Sequence, residues 1–389
     1  MISDKFEALS TPAFLYDVAR MSALIGCAKS AVHTASGSLL FSTKAFSIVH
    51  GLELIAKSVD GFATSSLYEA MLARDILQSQ GTVHLTTPGL RPDEIQQIAE
   101  LCDFVTLNSL SQWRQFRETL PGRASCGLRI NPQLSFIDDH RYAPCRGNSK
   151  LGIALDSIAA VTAADLDILK GIEGLHFHSN CDSSDFGQLL QTVKLLDTRI
   201  GSMLKRIRWI NLGGGYLFHE ADSLGPFYEA IDLLKTKYDL KVFLEPGASL
   251  VRDAGYVVSS VLDIFDSGGK TIAILDTTVN HVPEVFEYQF EPDVMGHRDG
   301  GRFQYILAGR TCLAGDLFGE YAFDEPLRLG SQVVFSNMGA YTLVKAHMFN
   351  GVNLPTVYAL TESGGIALKQ RFTYKDFASR CGVDTNDTV

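Results

Sequence analysis

The stretch Ile207-Arg-Trp-Ile-Asn-Leu-Gly-Gly-Gly-Tyr216 joins a short apolar run directly to three consecutive glycines. The apolar run has the length of a buried strand, and a helical pattern follows after a loop. Because glycine has no side chain, backbone N–H groups can converge there on an anion such as a phosphate group. A triple glycine can also be an ordinary flexible turn, so its place among the other predicted elements decides between these interpretations.

Short apolar strands alternate with amphipathic helices from residue 38 to about residue 250. The predicted strands are Leu39–Thr43, Val59–Thr64, Val83–Thr87, Phe104–Asn108, Cys126–Asn131, Leu175–Ser179, Trp209–Leu212 and Val242–Glu245. The predicted helices are Leu67–Gln78, Pro92–Leu101, Gln112–Leu120, Leu189–Leu204 and Pro226–Tyr238. Eight strand-then-helix units predict a (β/α)8 barrel of the TIM type, with a doubly wound open sheet as the competing architecture.

The pattern changes after the barrel region. Gly, Pro and Asp turns there separate β-type runs rich in Val, Ile and Phe, and no long helix is predicted. These runs are Tyr256–Ile264, Thr271–Leu275, Gln304–Ala308 and Gln332–Ser336. We therefore predict an α/β protein with a barrel of residues 26–254 and a mainly antiparallel C-terminal β-domain of residues 255–389. Residues 1–25 are expected to add a strand to that β-domain.

The composition is that of an ordinary soluble globular protein, with 46% hydrophobic and 20% charged residues. The net charge of −10 argues against nucleic-acid binding and is compatible with a cationic small-molecule ligand. No apolar run reaches the length of about 18 residues that a membrane span needs, and the start of the chain lacks a signal-peptide pattern. Seven widely spaced cysteines without a CxxC pair are typical of free thiols in a cytoplasmic protein.

Polar groups are predicted at the carboxyl ends of four barrel strands, where barrel enzymes carry their chemistry. These ends carry Lys44 after strand one, His176 and His178 on strand six, Gly213, Gly214 and Gly215 after strand seven, and Glu245 with Gly247 after strand eight. A lysine, a histidine, an anion-binding loop and a carboxylate on one rim fit pyridoxal phosphate as a cofactor.

Each of these groups has a part in pyridoxal chemistry. A lysine amine forms a Schiff base with the aldehyde, and glycine N–H groups bind the phosphate. A carboxylate keeps the pyridine nitrogen protonated, and a flat side chain covers one face of the ring. Each residue alone has a plainer alternative: a surface lysine, a structural histidine or a glutamate that caps a loop. A metal site of His176, His178 and Glu245 would leave Lys44 and the glycines without a role, so no metal is expected.

Together, these residues resemble the fold-type III pyridoxal-phosphate family, which includes alanine racemase, ornithine decarboxylase and diaminopimelate decarboxylase. The resemblance covers essentially the whole chain and extends to the carboxynorspermidine/carboxyspermidine decarboxylase branch. Its segments are Phe41–Phe46, Gly174–His178, Asn211–Gly215, Leu244–Gly247, Ala273–Thr277, Thr311–Asp316, Phe323–Leu327, Asn337–Thr342 and Phe349–Pro355. The barrel segments are shared across the superfamily, whereas Cys312-Leu-Ala-Gly-Asp316 and Phe349-Asn-Gly351 are much more specific to the branch.

The resemblance implies a role for each matching residue. Lys44 would carry the cofactor as a Schiff base, His178 would stack on its ring, and Glu245 would pair with the pyridine nitrogen. The phosphate would be held by Gly213, Gly214, Gly215 and Gly247, and by Tyr341 from a second subunit. Cys312, from the same partner, would be the general acid that protonates the substrate carbon after carbon dioxide leaves, although a free cysteine is more often a small buried hydrophobe. The substrate would be bound by Glu284, Asp316 and Asp276, and sites shared in this way imply a homodimer.

Glu245 separates reaction types within this family. A carboxylate there supports a protonated ring and full electron withdrawal, which suits decarboxylation, whereas alanine racemases place an arginine at this position. The resemblance therefore favours decarboxylation of carboxynorspermidine or carboxyspermidine, which gives norspermidine or spermidine. A decarboxylase of another diamino acid of the diaminopimelate or ornithine type, an amino-acid racemase, or a non-catalytic relative that binds pyridoxal phosphate are the alternatives.

Three segments depart from the pattern of the branch. The branch usually has Glu-Pro-Gly-Glu-Ala where this chain has Glu245-Pro-Gly-Ala-Ser249, and Asp where it has Glu284. It usually has Asn-Leu-Cys-Glu where this chain has Ser179-Asn-Cys-Asp182. Loss of a carboxylate that pairs with a buried ammonium costs a few kcal/mol. These departures concern the substrate and leave the decarboxylation chemistry in place, so another diamino or polyamine-like acid remains open.

Overall fold

The computed structural model describes residues 3–164 and 166–383 of the chain. Contacts divide it into two compact units: Ala23–Leu250 form the barrel unit, and the residues on either side of that range form the sheet unit. The chain begins with α1 (Ser3–Phe6), β1 (Ala13–Asp17) and α2 (Val18–Thr34). The domain boundaries expected from the sequence stay a prediction.

The barrel unit contains a closed ring of eight parallel strands. They are β2 (Ser38–Ser42), β3 (Gly61–Thr64), β4 (Thr82–Thr86), β5 (Phe104–Leu107), β6 (Ser125–Asn131), β8 (Ile172–His176), β9 (Trp209–Asn211) and β10 (Lys241–Leu244), with the short β7 (Ile153–Ala154) paired to β6. Pairing of β10 with β2 and of β5 with β6 closes the ring. The predicted barrel is confirmed, and the open sheet is excluded.

A helix follows every strand of the ring. These helices are α3 (Val49–Ala56), α4 (Leu67–Leu77), α5 (Ile95–Leu101), α6 (Leu110–Phe116), α7 (Leu155–Ala164), α8 (Gly187–Leu204), α9 (Gly225–Tyr238) and α10 (Ala248–Val251). Serine caps begin two of them, because Ser66 Oγ accepts the Glu69 N–H and Ser109 Oγ accepts the Gln112 N–H, each at 3.2 Å.

Strand β8 shows the largest shift from its predicted position, since it begins at Ile172 rather than at Leu175. The prediction misplaced the start of β8 because of Gly174. A Cβ atom at this position would lie 2.0 Å from the Trp209 ring. Trp209 fills the barrel interior with Leu40, Ala63 and Phe243, and only a glycine on β8 leaves room for it. A glycine inside a strand pattern usually indicates a break, so the sequence placed the start of the strand too late.

The sheet unit is mainly antiparallel, as predicted. Its strands are β1, β11 (Gly255–Ser267), β12 (Lys270–Leu275), β13 (Phe303–Ala308), β14 (Leu317–Phe323), β15 (Gln332–Phe335), β16 (Thr356–Leu360) and β17 (Ile366–Gln370). The long β11 pairs antiparallel with β1, β12 and β15, whereas β1 with β16 and β12 with β13 are parallel pairs. Two short helices, α11 (Glu284–Tyr288) and α12 (Tyr374–Arg380), complete the unit.

No helix in the described part of the chain is long and apolar enough to cross a lipid bilayer.

His84 makes the folded state sensitive to acid. It lies in the barrel interior, stacked on Phe104 at 4.2 Å, and burial lowers its pKa from 6.5 to about 3. Below pH 6.5 the imidazole is therefore protonated in the unfolded chain but stays neutral in the folded protein. The contribution of His84 to the free energy of unfolding is fully present above pH 6.5 and falls as the pH drops below it. Between pH 7 and pH 5 the free energy of unfolding should fall in both proteins. We expect the fall to be about 2 kcal/mol smaller in His84→Gln than in the wild type, as measured by urea unfolding at the two pH values.

Thr82→Val is the matched control for this prediction. It removes the hydroxyl that lies 2.9 Å from His84 Nε2 but keeps the imidazole. Its pH dependence should therefore follow the wild type. An equal pH dependence in His84→Gln and the wild type would contradict the prediction.

Candidate active site

Lys44 lies on a short 3-10 turn, Thr43–Ala45, directly after β2. Thr43 anchors this turn, because its buried Oγ1 donates to the carbonyl of Ala63 on β3 at 3.2 Å. The turn also packs against the end of β10, where a Cβ atom at Gly247 would lie 2.9 Å from that of Ala45. The Lys44 side chain is exposed at this end of the barrel unit.

Glu245 follows β10 directly, and both of its carboxylate oxygens accept hydrogen bonds. His176 Nε2 lies 3.0 Å from Oε1, and Asn211 Nδ2 donates to Oε2 at 2.9 Å. His176 is the last residue of β8 and Asn211 the last of β9, so three adjacent strand ends converge on one carboxylate. The sequence placed His176 and Glu245 on one rim but did not indicate this contact, and it gave Asn211 no role.

The carboxylate of Glu245 is held in its charged form. Burial acts to raise its pKa, but the interaction with His176 and the charge of Lys44 outweigh burial and hold the pKa well below its ordinary value. Burial lowers the pKa of His176 as well, so its imidazole is neutral and donates the Nε2 proton to Glu245. The barrel end thus contains a fixed anion with two neutral donors beside Lys44.

His178 is held by two loops. Its Nδ1 accepts the N–H of Gly214 at 3.0 Å, and Cys145, from the long insertion after β6, donates its thiol to the His178 carbonyl at 3.2 Å. Burial lowers the pKa of His178 well below its ordinary value, and the charges of Lys44 and Arg129 lower it further. The ring is therefore neutral with its proton on Nε2, and its orientation is fixed.

The glycine loop is shaped by close backbone contacts. A Cβ atom at Gly214 would lie 2.5 Å from the Glu245 carbonyl, and one at Gly215 would lie 2.1 Å from the Asn180 carbonyl. Gly213 and Gly215 also have left-handed backbones, with φ of 72° and 86°. The N–H of Gly213 donates to Asn211 Oδ1 at 2.8 Å and that of Gly214 to His178. Two of the three amides expected to hold a phosphate thus have partners within the described residues, which leaves the Gly215 N–H for a ligand.

Arg129 is a buried cation that the sequence analysis missed. It lies on β6 with 9% of its surface exposed, and burial lowers its pKa although Glu245 acts in the opposite direction. Its Nε has no hydrogen-bond partner among the described residues. The only signal was an arginine between the apolar residues Leu128 and Ile130 of the strand. A buried guanidinium N–H without a partner is a donor available to an oxygen of a ligand.

These residues fit pyridoxal phosphate. Lys44 supplies the amine, Glu245 an anion that is already oriented, His178 a fixed flat ring, and the loop a surface that admits no Cβ atom. Arg129 Nε and Ser249 Oγ add buried donors without partners among the described residues. A metal site is less favoured, since His176 Nε2 bonds Glu245 and His178 Nδ1 accepts an amide proton.

In the sheet unit, Cys312 is an exposed thiol whose backbone is tethered. Its N–H donates to Asn350 Oδ1 at 3.0 Å. Asn350 itself has a left-handed backbone with φ of 54°. The structure therefore joins the two segments that the sequence analysis found specific to the decarboxylase branch.

Asp316 is placed differently from what the sequence suggests for a substrate ligand. It is 2% exposed, and its carboxylate accepts the Val279 N–H and the Thr278 hydroxyl at 2.8 Å each. It also accepts the N–H of Thr311 at 3.0 Å and its hydroxyl at 2.5 Å. These four bonds engage both oxygens, so the geometry favours a role in fixing the loop before Cys312 over direct contact with a substrate.

Asp276 is also engaged inside the sheet unit, where its Oδ1 accepts the Ser259 hydroxyl at 2.7 Å and the Ser260 N–H at 3.0 Å. Tyr341 is half-buried with a left-handed backbone, φ 54°, which is strained for a bulky side chain and common at functional sites. Its contact with a phosphate stays a prediction.

Glu284 lies at the start of α11 in a group of charges. Lys345 Nζ lies 3.3 Å from Glu284 Oε1, contacts the Glu287 carboxylate and sits 5.3 Å from the centre of the Tyr288 ring. Lys345 is partly buried, but its carboxylate neighbours raise its pKa nevertheless. Two carboxylates and one ammonium leave this group with one net negative charge.

Comparison with known proteins identifies relatives over nearly the full length. Residues 23–252 match the family model for the pyridoxal-dependent decarboxylase, pyridoxal binding domain. A carboxyaminopropylagmatine decarboxylase from Synechocystis sp. is 33% identical, over 97% of each chain. A carboxynorspermidine/carboxyspermidine decarboxylase from Campylobacter jejuni is 31% identical, over 96% of this chain and 99% of the relative.

Solved structures agree with this fold. The carboxynorspermidine decarboxylase of Campylobacter jejuni, complexed with norspermidine, aligns with a TM-score of 0.86 and 29% identity, over 96% of this chain and all of that chain. Diaminopimelate decarboxylase from Helicobacter pylori aligns with a TM-score of 0.84 at 19% identity, over 98% of this chain and all of that chain, and shares the fold.

Proposed function

Because the chain belongs to the pyridoxal-dependent decarboxylase family, we propose that it decarboxylates a carboxylated polyamine, carboxynorspermidine or carboxyspermidine. The observation that carries this proposal is the charged Glu245, fixed by His176 and Asn211 beside Lys44. A carboxylate in this position suits decarboxylation rather than the racemase chemistry that needs an unprotonated ring. When bound, pyridoxal phosphate supplies the electron sink for the charge left by the departing carbon dioxide.

Different residues of the barrel unit are assigned to different parts of the cofactor. Lys44 would bind the aldehyde, and Glu245 would hold a proton on the ring nitrogen. His178, fixed through Gly214 and Cys145, would cover one face of the ring and keep water from it. The Gly215 amide and Gly247 lie where the phosphate is expected.

Cys312 would return the proton to the substrate carbon, and it would do so from a second subunit. Large apolar side chains near Cys312 in sequence or in space support a homodimer through this face. They are exposed by 41–47% and comprise Phe286, Leu317 and Phe349. Phe286 packs on the Cys312 loop, because a Cβ atom at Gly315 would lie 2.9 Å from its ring. Covering such side chains with a second copy would remove them from water.

The described residues form no disulfide among the seven cysteines, which supports a reducing cytoplasm as the compartment.

Two positions of the chain bear on which substrate it takes. Ala248 offers no carboxylate where the branch has a glutamate, and Glu284 already has Lys345 as a partner. A second candidate is the substrate named for the Synechocystis relative, carboxyaminopropylagmatine, which ends in a guanidinium group rather than an ammonium group. Both candidates carry a decarboxylatable amino-acid end and a cationic tail.

Carbon dioxide release from a panel of substrates tests the proposal. The panel contains carboxynorspermidine, carboxyspermidine, carboxyaminopropylagmatine, diaminopimelate, ornithine and arginine. We expect kcat/KM for carbon dioxide release to be highest with one of the carboxylated polyamines of the panel. Solvent deuterium exchange without release would indicate a racemase, and an inert holoprotein would indicate a non-catalytic relative. Borohydride should fix the cofactor to Lys44, and labelling of another lysine would overturn that assignment.

Lys345 provides a separate prediction about the cationic tail. Replacing Lys345 with Met removes one positive charge and leaves Glu284 and Glu287 with two negative charges. We expect KM for the preferred polyamine substrate to fall by about two- to fivefold, since partly exposed ion pairs contribute 0.2–1 kcal/mol. Lys345→Arg keeps the charge and should match the wild type.

Lys270→Met is the matched control, because it removes an ammonium on β12 that pairs with Glu320 on β14. It should leave KM unchanged. A rise in KM for Lys345→Met would show that the ion pair only maintains structure.

A further inference from the structure

Asn211 contacts both functional ends of the proposed cofactor site. Its Nδ2 donates to Glu245 Oε2 at 2.9 Å, and its Oδ1 accepts the Gly213 N–H at 2.8 Å. The side chain is 2% exposed. One amide group therefore joins the carboxylate assigned to the ring nitrogen to the loop assigned to the phosphate.

Backbone bonds hold the same three segments in register. The Glu245 N–H donates to the Gly213 carbonyl at 2.9 Å, and the Phe177 N–H donates to the Asn211 carbonyl at 3.0 Å. Asn211 ends β9, which lies between β8 and β10 in the barrel. The backbone at Asn211 is thus held in the sheet, and its side-chain amide cannot rotate without breaking its hydrogen bond to Glu245 or to the Gly213 N–H.

We propose that Asn211 is a positioning residue that couples the ring-nitrogen end of the cofactor site to its phosphate end. His176 differs, because its side chain contacts Glu245 at 3.0 Å but its Nδ1 has no partner among the described residues. An amide is the side chain that suits this place, since it offers one donor to a carboxylate and one acceptor to an N–H. The inference rests on the proposed roles of Glu245 and the glycine loop.

Cofactor binding measures the coupling without measuring catalysis. The protein is freed of cofactor and titrated with pyridoxal phosphate, with pyridoxal, and with the 1-deaza analogue of pyridoxal phosphate. The ratio of dissociation constants for pyridoxal and pyridoxal phosphate gives the phosphate preference. The ratio for the deaza analogue and pyridoxal phosphate gives the nitrogen preference.

Asn211→Ala should reduce both preferences by about 10–100-fold, a loss of the size found when a hydrogen-bond partner that orients a metal ligand is removed. His176→Ala should reduce the nitrogen preference alone. Asn211→Asp keeps an acceptor for the Gly213 N–H, so it should retain the phosphate preference. It also tests the proposal if the alanine variant does not fold. Glu245→Gln should remove the nitrogen preference, and if it does not, the assignment of Glu245 fails rather than the coupling.

Asn131→Ala is the matched control for a purely structural effect. Asn131 ends β6, is 3% exposed and likewise bonds two backbone groups, the Arg146 carbonyl and the Gln133 N–H. It should change neither preference. The proposal is overturned if Asn211→Ala leaves either preference intact, if Asn211→Asp loses the phosphate preference, or if Asn131→Ala shows the same pattern as Asn211→Ala.

Discussion

Glu245→Gln is expected to lower kcat by about 10²–10³-fold, the typical cost of losing one electrostatic group that is oriented for the transition state. A glutamine has no charge to hold a proton on the ring nitrogen, so the electron withdrawal that decarboxylation needs is weakened. It also places an NH2 group against a donor, because both His176 Nε2 and Asn211 Nδ2 donate to the carboxylate. The measurement is kcat for carbon dioxide release from the preferred substrate at saturating cofactor.

Glu245→Asp is the matched variant, since it keeps the charge and shortens the side chain by one methylene group. It should lose less activity than Glu245→Gln, and its bound cofactor should keep the visible absorption of the wild type. Equal kcat values for Glu245→Gln and the wild type would contradict the assigned role. Equal losses in both variants would show that position matters more than charge.

The barrel could be predicted from the sequence because its evidence is local. Each strand is a short apolar run, and proposed functional residues follow such runs closely, as Lys44 follows β2 after Thr43 and Glu245 follows β10 directly. Parallel strands bring such ends to one rim whatever the loops between them do. The sequence alone therefore predicts which residues lie on this rim.

The contacts within the rim could not be predicted in the same way. His176 and Asn211 reach Glu245 across 69 and 34 residues of sequence, and a single sequence does not show pairs so far apart. The Gly213 and Gly214 amides bond the side chains of Asn211 and His178, which the composition of the loop does not show, and the contact of the loop with a phosphate stays a prediction. The four hydrogen bonds of Asp316 were likewise not visible in the sequence, and its contact with a substrate stays a prediction.

The sheet unit was predicted less completely. Strands β14, β16 and β17 were missed, and β17 has little buried apolar surface to give a clear alternation. Helix α2, most of which belongs to the barrel unit, was also missed, although it has 17 residues. Its mixture of small and polar residues gives only a weak apolar stripe, so the sequence pattern does not reveal the helix. Tertiary packing, which a single sequence does not show, stabilises it.

Cys312→Ala is expected to lower kcat by about 10²–10⁴-fold, the usual contribution of a positioned general acid. The thiol is exposed on a loop that Asn350 and Asp316 fix, so its removal should change the proton transfer much more than substrate binding. KM should therefore change little while kcat falls. Cys312→Ser should not restore activity, because a hydroxyl is a far weaker acid than a thiol.

Cys27→Ala is the control, since Cys27 is another exposed thiol and lies on α2. It should retain the activity of the wild type. Alkylation should inactivate the wild type and Cys27→Ala alike, and bound norspermidine should slow the reaction at Cys312. Unchanged kcat in Cys312→Ala would remove this thiol from the mechanism.

Whether Cys312 acts across a dimer interface can be decided by mixing two inactive variants. Lys44→Ala retains Cys312, and Cys312→Ala retains Lys44, so a mixed dimer with shared sites contains one intact site. Random pairing of the two chains makes half of the dimers mixed, and about one quarter of the wild-type activity should return. If Lys44 and Cys312 act within one chain, no mixed dimer contains an intact site, and co-expression of the two variants restores nothing.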